Sequence, residues 1–260
     1  MYKLIQKIDL LKVLLRSFFI ETSWNFENMQ NIGFAYALLP IASKICKTKE
    51  EKVEFIKRHI KFFNTNPPMA PFVMGVVINL EEKNAIGEFS KDVSEIESIK
   101  NSMMGPLAAM GDNVFWEYLR PFSALIGVSI VLLFKNNLKL AFLGPILSLI
   151  IYNSFNIFIR YIGIIKGYEQ GISVVQYLQN FNLPRICERL SLFASLILAI
   201  ILATSFQWQN MNIFSVKILN DVLFLITTFL VVGALKIKIS PTVIFYSIVV
   251  ICIVFKYFVR

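Results

Sequence analysis

Residues 105–134 read GPLAAMGDNVFWEYLRPFSALIGVSIVLLF. The first part, 105–121, is rich in Gly, Pro and Ala yet carries Asp112, Glu117 and Arg120; the remainder, 122–134, carries no charge. Glycine and proline interrupt helices. A charged side chain at mid-bilayer costs about 2.5–3.5 kcal/mol, so such residues face protein or water and mark function. A broken, charged segment beside an apolar run is how a transporter builds a substrate site.

Outward from this stretch, further apolar runs occupy residues 138–159, 190–206, 222–235 and 242–255. A membrane span takes about 20 mostly apolar residues, fewer when the bilayer adjusts to a short helix. Only a short linker with Lys236, Lys238 and Ser240-Pro241 separates the last two runs, which predicts a tight helical hairpin. The second half therefore predicts three to five crossing or re-entrant helices. Composition agrees. The 260 residues are 56% hydrophobic, against about 45–50% for a soluble domain, and the mean hydropathy is +0.63. Between residues 190 and 260 too little charge remains to give these runs a polar surface.

The first half is different. Residues 47–61 (KTKEEKVEFIKRHIK) and 81–101 (EEKNAIGEFSKDVSEIESIKN) are charged and amphipathic. Val93, Ile96, Ile99 and Met103 recur near the helical period and predict one apolar stripe on a surface helix. The N-terminal MYKLIQKIDLLKVLLRSFF has apolar periodicity with interspersed Lys and lacks the uninterrupted core and cleavage site of a signal peptide. It predicts an amphipathic interfacial helix. The fold class is thus an all-α integral membrane protein with amphipathic N-terminal helices, re-entrant helical hairpins and a bundle of transmembrane helices. Residues 1–121 form the amphipathic, cytoplasmic and re-entrant region, and residues 122–260 the transmembrane helical region.

The net charge is +9. The basic residues flank apolar runs, as positive charge retained on the cytoplasmic side requires, so no nucleic-acid partner is expected. Lys3, Lys7, Lys12 and Arg16 place the N-terminus inside. Cys46, Cys187 and Cys252 fit no metal or redox spacing and read as reduced packing residues. No Walker loop, GxGxxG, HExxH or GxSxG pattern is present, so the chain cannot hydrolyse ATP in a recognisable way. No catalytic residue, cofactor or metal site is expected.

Five segments occur in a specific order: Ser23-Trp24-Asn25-Phe26-Glu27 with Met29-Gln30-Asn31 and Gly33-Phe34; Arg58-His59 with Phe62 to Pro67; Gly75-Val76 leading to Leu80-Glu81-Glu82; Gly105-Pro106-Leu107-Ala108 with Gly111-Asp112, Phe115-Trp116 and Leu119-Arg120-Pro121; and Leu143-Gly144-Pro145 with Tyr152-Asn153, Arg160, Gly163 and Gly167-Tyr168. Across roughly residues 15–175 this order resembles the IID subunit of the mannose/fructose/sorbose-type phosphotransferase system. The resemblance implies a multi-pass protein of the bacterial cytoplasmic (inner) membrane that pairs with a IIC subunit to carry a hexose-type sugar inward. A phosphorylated IIB (IIAB) subunit then phosphorylates the sugar, and the IIC–IID pairs assemble into oligomers in the lipid bilayer. The phosphoryl-carrying residue is expected on IIB. The sequence departs from the family at Asn28, where Arg is usual, at Glu117, where a small residue is usual, at residues 164–170, and at a short segment around residues 207–220. Glu117 questions a plain mannose specificity. A stand-alone secondary transporter and a non-transporting scaffold are the alternatives.

Sugar sites need amides and carboxylates for paired hydrogen bonds and an aromatic face for the ring. Asn64 and Asn66, in FFNTNP, read as lining a hairpin tip on the sugar pathway, or as turn caps. Glu81 and Glu82 close an apolar run. They read as a solvated helix end, or as one carboxylate turned inward onto sugar or partner; adjacent helical residues point about 100° apart, so only one of the two is expected inward. Asp112, between Gly111 and Asn113, is expected at a sharp turn, capping the next helix, facing ligand, or both. Trp116 offers a stacking face or an interface anchor. Arg120 is expected to pair with Glu117 three residues earlier. His59, the only histidine, has no carboxylate beside it in sequence and reads as structural rather than as a phosphoryl carrier.

Overall fold

The computed structural model describes residues 4–89, 92–180, 183–205 and 217–258. Helices and loops make up these residues, with two isolated β-bridges. Chain contacts divide the molecule into two units, Met1–Ala203 and Thr204–Arg260.

In the first unit, α1 (Lys7–Ser17) and α3 (Lys49–His59) each open with a reciprocal cap. Gln6 pairs with Asp9 in the first case and Thr48 with Glu51 in the second, satisfying amides that a helix start leaves without partners. Between them lies α2 (Asn31–Ile45). The hub is α4 (Ala70–Ala85), which starts with Pro71 in its first turn and is apolar throughout from Ala70 to Ile78. From Ala70 to Glu82 only Asn79 is not buried.

The main partner of α4 is the long α8 (Leu143–Gln170). The two backbones meet through glycines. A Cβ added to Gly75 would lie 2.6 Å from the Ile164 carbonyl oxygen, and one added to Gly167 would lie 2.6 Å from that of Phe72. Gly163 and Gly167 form a GxxxG pair, the small-residue spacing that lets helices approach closely. Gly127 and Gly144 do the same for α6 (Arg120–Leu133) against α8. The short α7 (Leu138–Ala141) precedes α8, while α9 (Val174–Asn180) and α10 (Leu183–Ser205) follow it.

The stretch 105–121 corrects one expectation. The chain does not turn at Gly111–Asn113. α5 (Ser94–Gly111) passes directly into a π-helical segment, Asp112–Leu119, and then into α6. Proline lacks an N–H, and its ring crowds the carbonyl four residues earlier, here Glu117 before Pro121. The i→i+5 bonding of a π-helix widens the turn just where that carbonyl needs room. Asp112 has helical backbone angles, φ −61° and ψ −43°, and does not cap a helix.

Residues 81–101 are divided between the end of α4 and the start of α5, and the expected stripe lies wholly on α5 and its N-cap Val93, with Val93 and Ile99 partly buried against the core. Ile96 and Met103 are buried as expected, but Lys100 lies on the same face and is also buried. Two continuous helical stretches, Ser94–Leu133 and Leu138–Leu178, are long and apolar enough to cross a bilayer, and shorter apolar helices cover Leu225–Lys236 and Pro241–Val254.

In the second unit, α11 (Lys217–Lys236) and α12 (Pro241–Phe258) make the expected hairpin, with Lys238 in the left-handed region at φ 63°. Most of the segment around 207–220 lies outside the described residues.

Candidate functional site

Two loops interlock beside α5. Asn25 and Met29 exchange backbone hydrogen bonds of 3.1 and 3.0 Å, and the Gln30 amide donates to the Phe63 carbonyl at 2.8 Å. The buried Gln30 side chain then grips Thr65 from both sides. Its Nε2 donates to the Thr65 carbonyl at 2.8 Å, and its Oε1 accepts the Thr65 amide at 3.0 Å. Thr65 Oγ1 donates to the Met104 carbonyl on α5 at 3.0 Å. The loop after α3 is thus held by side chains rather than by regular structure.

That loop presents Asn64 and Asn66. Asn66 is buried, and its carbonyl accepts the Met69 and Ala70 amides at the start of α4. Its Nδ2 donates to Asp112 Oδ1 at 2.9 Å, joining residues 46 positions apart. Gly111 makes this possible, because a Cβ there would sit 2.4 Å from the Asn66 Cβ. Asn64 is exposed, and its backbone amide points at Met104 Sδ, 3.3 Å away. Asp112 is exposed at the start of the π segment, and Trp116, one turn on, is 46% exposed. The Arg120 guanidinium lies over the Trp116 ring at 4.9 Å, in place of the expected Glu117 pairing. The widened turn brings residues four apart, not three, into register. The Asn66–Asp112 contact joins two of the six expected site residues, while Asn64 lies on the same loop as Asn66 and Trp116 on the same π segment as Asp112.

Glu81 and Glu82 correct the expectation that one of them faces solvent. Both are buried, at 1% and 7% exposure. The 100° between them is real, but the protein covers both directions. Glu81 accepts Arg58 Nε at 3.1 Å and Arg58 Nη2 at 3.0 Å, and its Oε1 lies 2.9 Å from His59 Nε2. Glu82 Oε1 accepts the Leu4 and Ile5 amides at 2.7 and 2.9 Å, and Oε2 accepts the Tyr168 hydroxyl at 2.5 Å. Each carboxylate is engaged at both oxygens by the protein itself.

His59 is oriented after all, by a carboxylate 22 residues away in sequence. The ring is 1% exposed and packs edge-on to Phe55 at 4.6 Å. Its Nδ1 has no hydrogen-bond partner, so the neutral tautomer with the proton on Nε2 is the one this site satisfies. Burial holds the imidazole below its ordinary range, against the opposing pull of Glu81. Burial would raise Glu81, but the hydrogen bonds from His59 and Arg58 outweigh it and hold the carboxyl below its ordinary range. At 1% exposure the ring is out of reach of a phosphoryl donor on another protein.

Residues 4–259 match the family described as the PTS system mannose/fructose/sorbose family IID component. The chain belongs to the IID family. The mannose-specific EIID component of Escherichia coli K12 is 34% identical over 212 residues, covering 81% of this chain and 71% of that protein. The sorbose-specific EIID component of Lacticaseibacillus casei is 32% identical over 209 residues, covering 80% and 71%. The fructose permease IID component of Bacillus subtilis 168 is 28% identical over 211 residues, covering 81% and 73%. Among solved structures, the mannose transporter ManYZ in complex with microcin E492 contains a chain that matches with a TM-score of 0.60 and 30% identity over 97% of each chain. A further membrane protein matches with a TM-score of 0.70 and 30% identity over 96% of each. This IID component is therefore a membrane protein of a mannose-family phosphotransferase system.

Three residues that hold this region together escaped assignment from sequence: Gln30, Arg58 and Tyr168. Each lies within a quoted motif, which was the available signal. Their roles depend on partners 35, 23 and 86 positions away, which no local pattern encodes.

Proposed function

We propose that this IID chain joins a IIC subunit in the bacterial cytoplasmic membrane, crosses that membrane several times, and forms a translocation unit for a hexose-type sugar. Phosphorylated IIB supplies the coupling energy by phosphorylating the sugar as it is released, and IIC–IID pairs assemble further into oligomers. The observation that carries this reading is the Asn66–Asp112 hydrogen bond. It joins the α3–α4 loop, which also carries the exposed Asn64, to the π segment and leaves Asp112 exposed. An amide and a carboxylate supply the donors and acceptors that sugar hydroxyls need, and Trp116 supplies the face for the ring's C–H surface. Irregular backbone at membrane depth is tolerated only where it is buried in protein or lines an aqueous cavity. The α3–α4 loop and the π segment fit that description, with the partner subunit closing the other side.

In this reading Glu81 and Glu82 hold the scaffold rather than the sugar, and residues 1–121 carry the ligand-facing parts while residues 122–260 anchor them. Sugar uptake in cells expressing the chain with and without IIC and phosphorylated IIB tests the reading. Uptake is expected only with all three. Uptake by the chain alone would establish the secondary-transporter alternative.

A further inference from the structure

Helix α1 is pinned to the rest of the first unit at both of its ends. At the start, Glu82 takes the Leu4 and Ile5 amides and is itself held by the Tyr168 hydroxyl. At the other end, Arg160 Nη1 donates to the Ser17 carbonyl at 2.9 Å and to Ser17 Oγ at 3.2 Å. Both Tyr168 and Arg160 belong to α8, so α1 is strapped across α8 at two points. Between the straps lies a cavity of about 660 Å³, within the 300–1,000 Å³ range of ligand pockets.

The cavity is apolar along its length and polar at one end. Leu10, Leu11 and Leu14 of α1 face Ile164 and Ile165 of α8. Leu10, Leu14 and Ile164 are buried, so the floor is fixed by the core, while Leu11 is 45% exposed. The polar end holds Gln6, Lys7 and Glu169. Glu169 is already paired with Lys166 at 2.8 Å, whereas no ion pair is found for Lys7 among the described residues. A free cation therefore stands at the mouth of an apolar trough. Beside the trough, α1 exposes Ile8 and Leu15, and the chain just after it exposes Phe18 and Phe19, as a segment lying in a membrane interface does.

We propose that this trough holds one acyl chain of an anionic phospholipid, with the headgroup phosphate against Lys7. The floor supplies chain contact, the basic mouth supplies headgroup selection, and the two straps keep α1 from closing the space. The occupant is a lipid rather than a segment of the IIC partner because the trough joins an apolar floor to a single cationic rim beside an interfacial helix. Juxtamembrane Lys residues attract anionic lipid by the same electrostatics.

The test uses the purified IIC–IID complex in nanodiscs containing phosphatidylcholine with or without phosphatidylglycerol, followed by native mass spectrometry of retained lipid. Wild-type complex is expected to retain phosphatidylglycerol in preference to phosphatidylcholine. Lys7→Gln should lower that retention roughly fivefold, one surface cation's worth. Leu11→Trp, at an exposed position where folding is not at risk, should fill the trough and abolish the retention. Equal retention of both lipids, or retention unchanged in both variants, overturns the proposal. So does efficient cross-linking of a Leu11→Cys variant to IIC, which would make the partner the occupant.

Discussion

At the end of α4, Glu81 is 1% exposed and receives three hydrogen bonds from Arg58 and His59. At the start of the π segment, Asp112 is exposed and receives one, from Asn66. A carboxylate removed from water must be compensated nearly completely by cations and hydrogen bonds, and Glu81 is. Asp112 keeps its solvent and has one partner among the described residues, so its remaining lone pairs are open to a ligand. The difference separates carboxylates that hold the fold from those available for transport, a distinction that residue type alone does not make.

The largest effect should come from breaking the buried side of this comparison. Glu81→Ala strands Arg58 and His59 without their shared acceptor. Removing one member of a buried ion pair costs about 3–5 kcal/mol, so thermal unfolding of the detergent-purified IIC–IID complex should show a large loss. Asp112→Ala should not. Equal destabilisation by both would erase the distinction.

Next is the contact that places the exposed side. Gly111→Ala puts a methyl carbon 2.4 Å from the Asn66 Cβ, and overpacking of this kind costs about 1–3 kcal/mol. The α3–α4 loop must then move away from the π segment. Uptake should fall sharply while the protein still reaches the membrane. Unchanged uptake would mean that the Asn66–Asp112 contact is not needed.

Asp112→Asn keeps the shape and removes the charge. At an exposed position its effect on stability should stay within about 0.5 kcal/mol. A hydrogen bond to a charged group contributes about 1.5–3 kcal/mol, so the sugar concentration for half-maximal uptake should rise about tenfold or more. A stability loss without a transport defect would place Asp112 with Glu81.

How much of this was legible in the sequence follows from the range of the interactions. The apolar runs became α6, α8, α10, α11 and α12 because length and hydropathy are local properties. The proximity of Asp112 to a special backbone was visible for the same reason. What the backbone does there was not legible. Gly111 and Pro121 argue for a turn, but Pro121 can also be relieved by a wider helical turn, and Gly111 is needed for the approach of Asn66 rather than for bending. The burial of Glu82 could not be read either, because its partners Leu4 and Tyr168 lie 78 and 86 positions away. Lys100 broke the expected stripe because its ammonium lies 5.6 Å from the Phe34 ring centre, a partner supplied by α2.

The smallest effect expected is a response to pH, since acid titrates the buried cluster without deleting it. His59 and Glu81 lie outside the two helical stretches long enough to cross the bilayer. Burial holds the folded-state His59 below its ordinary value of 6.5. The unfolded chain therefore takes up a proton before the folded one does, and stability falls as pH drops through 6.5. Glu81 is also held below its ordinary value, 4.5, with the cost of burial outweighed by His59 and Arg58. Its contribution is complete above 4.5 and is lost as pH falls below that value. Both groups thus act in the same direction, and acid should loosen the α3–α4 junction in two stages. His59→Gln can still donate to Glu81 but does not titrate. Its melting temperature should stay level between pH 6.5 and 4.5, where the wild type declines, and fall only below. A wild-type curve that rises on acidification through 6.5 would mean that His59 is charged in the fold and adds a second cation to the Arg58–Glu81 ion pair.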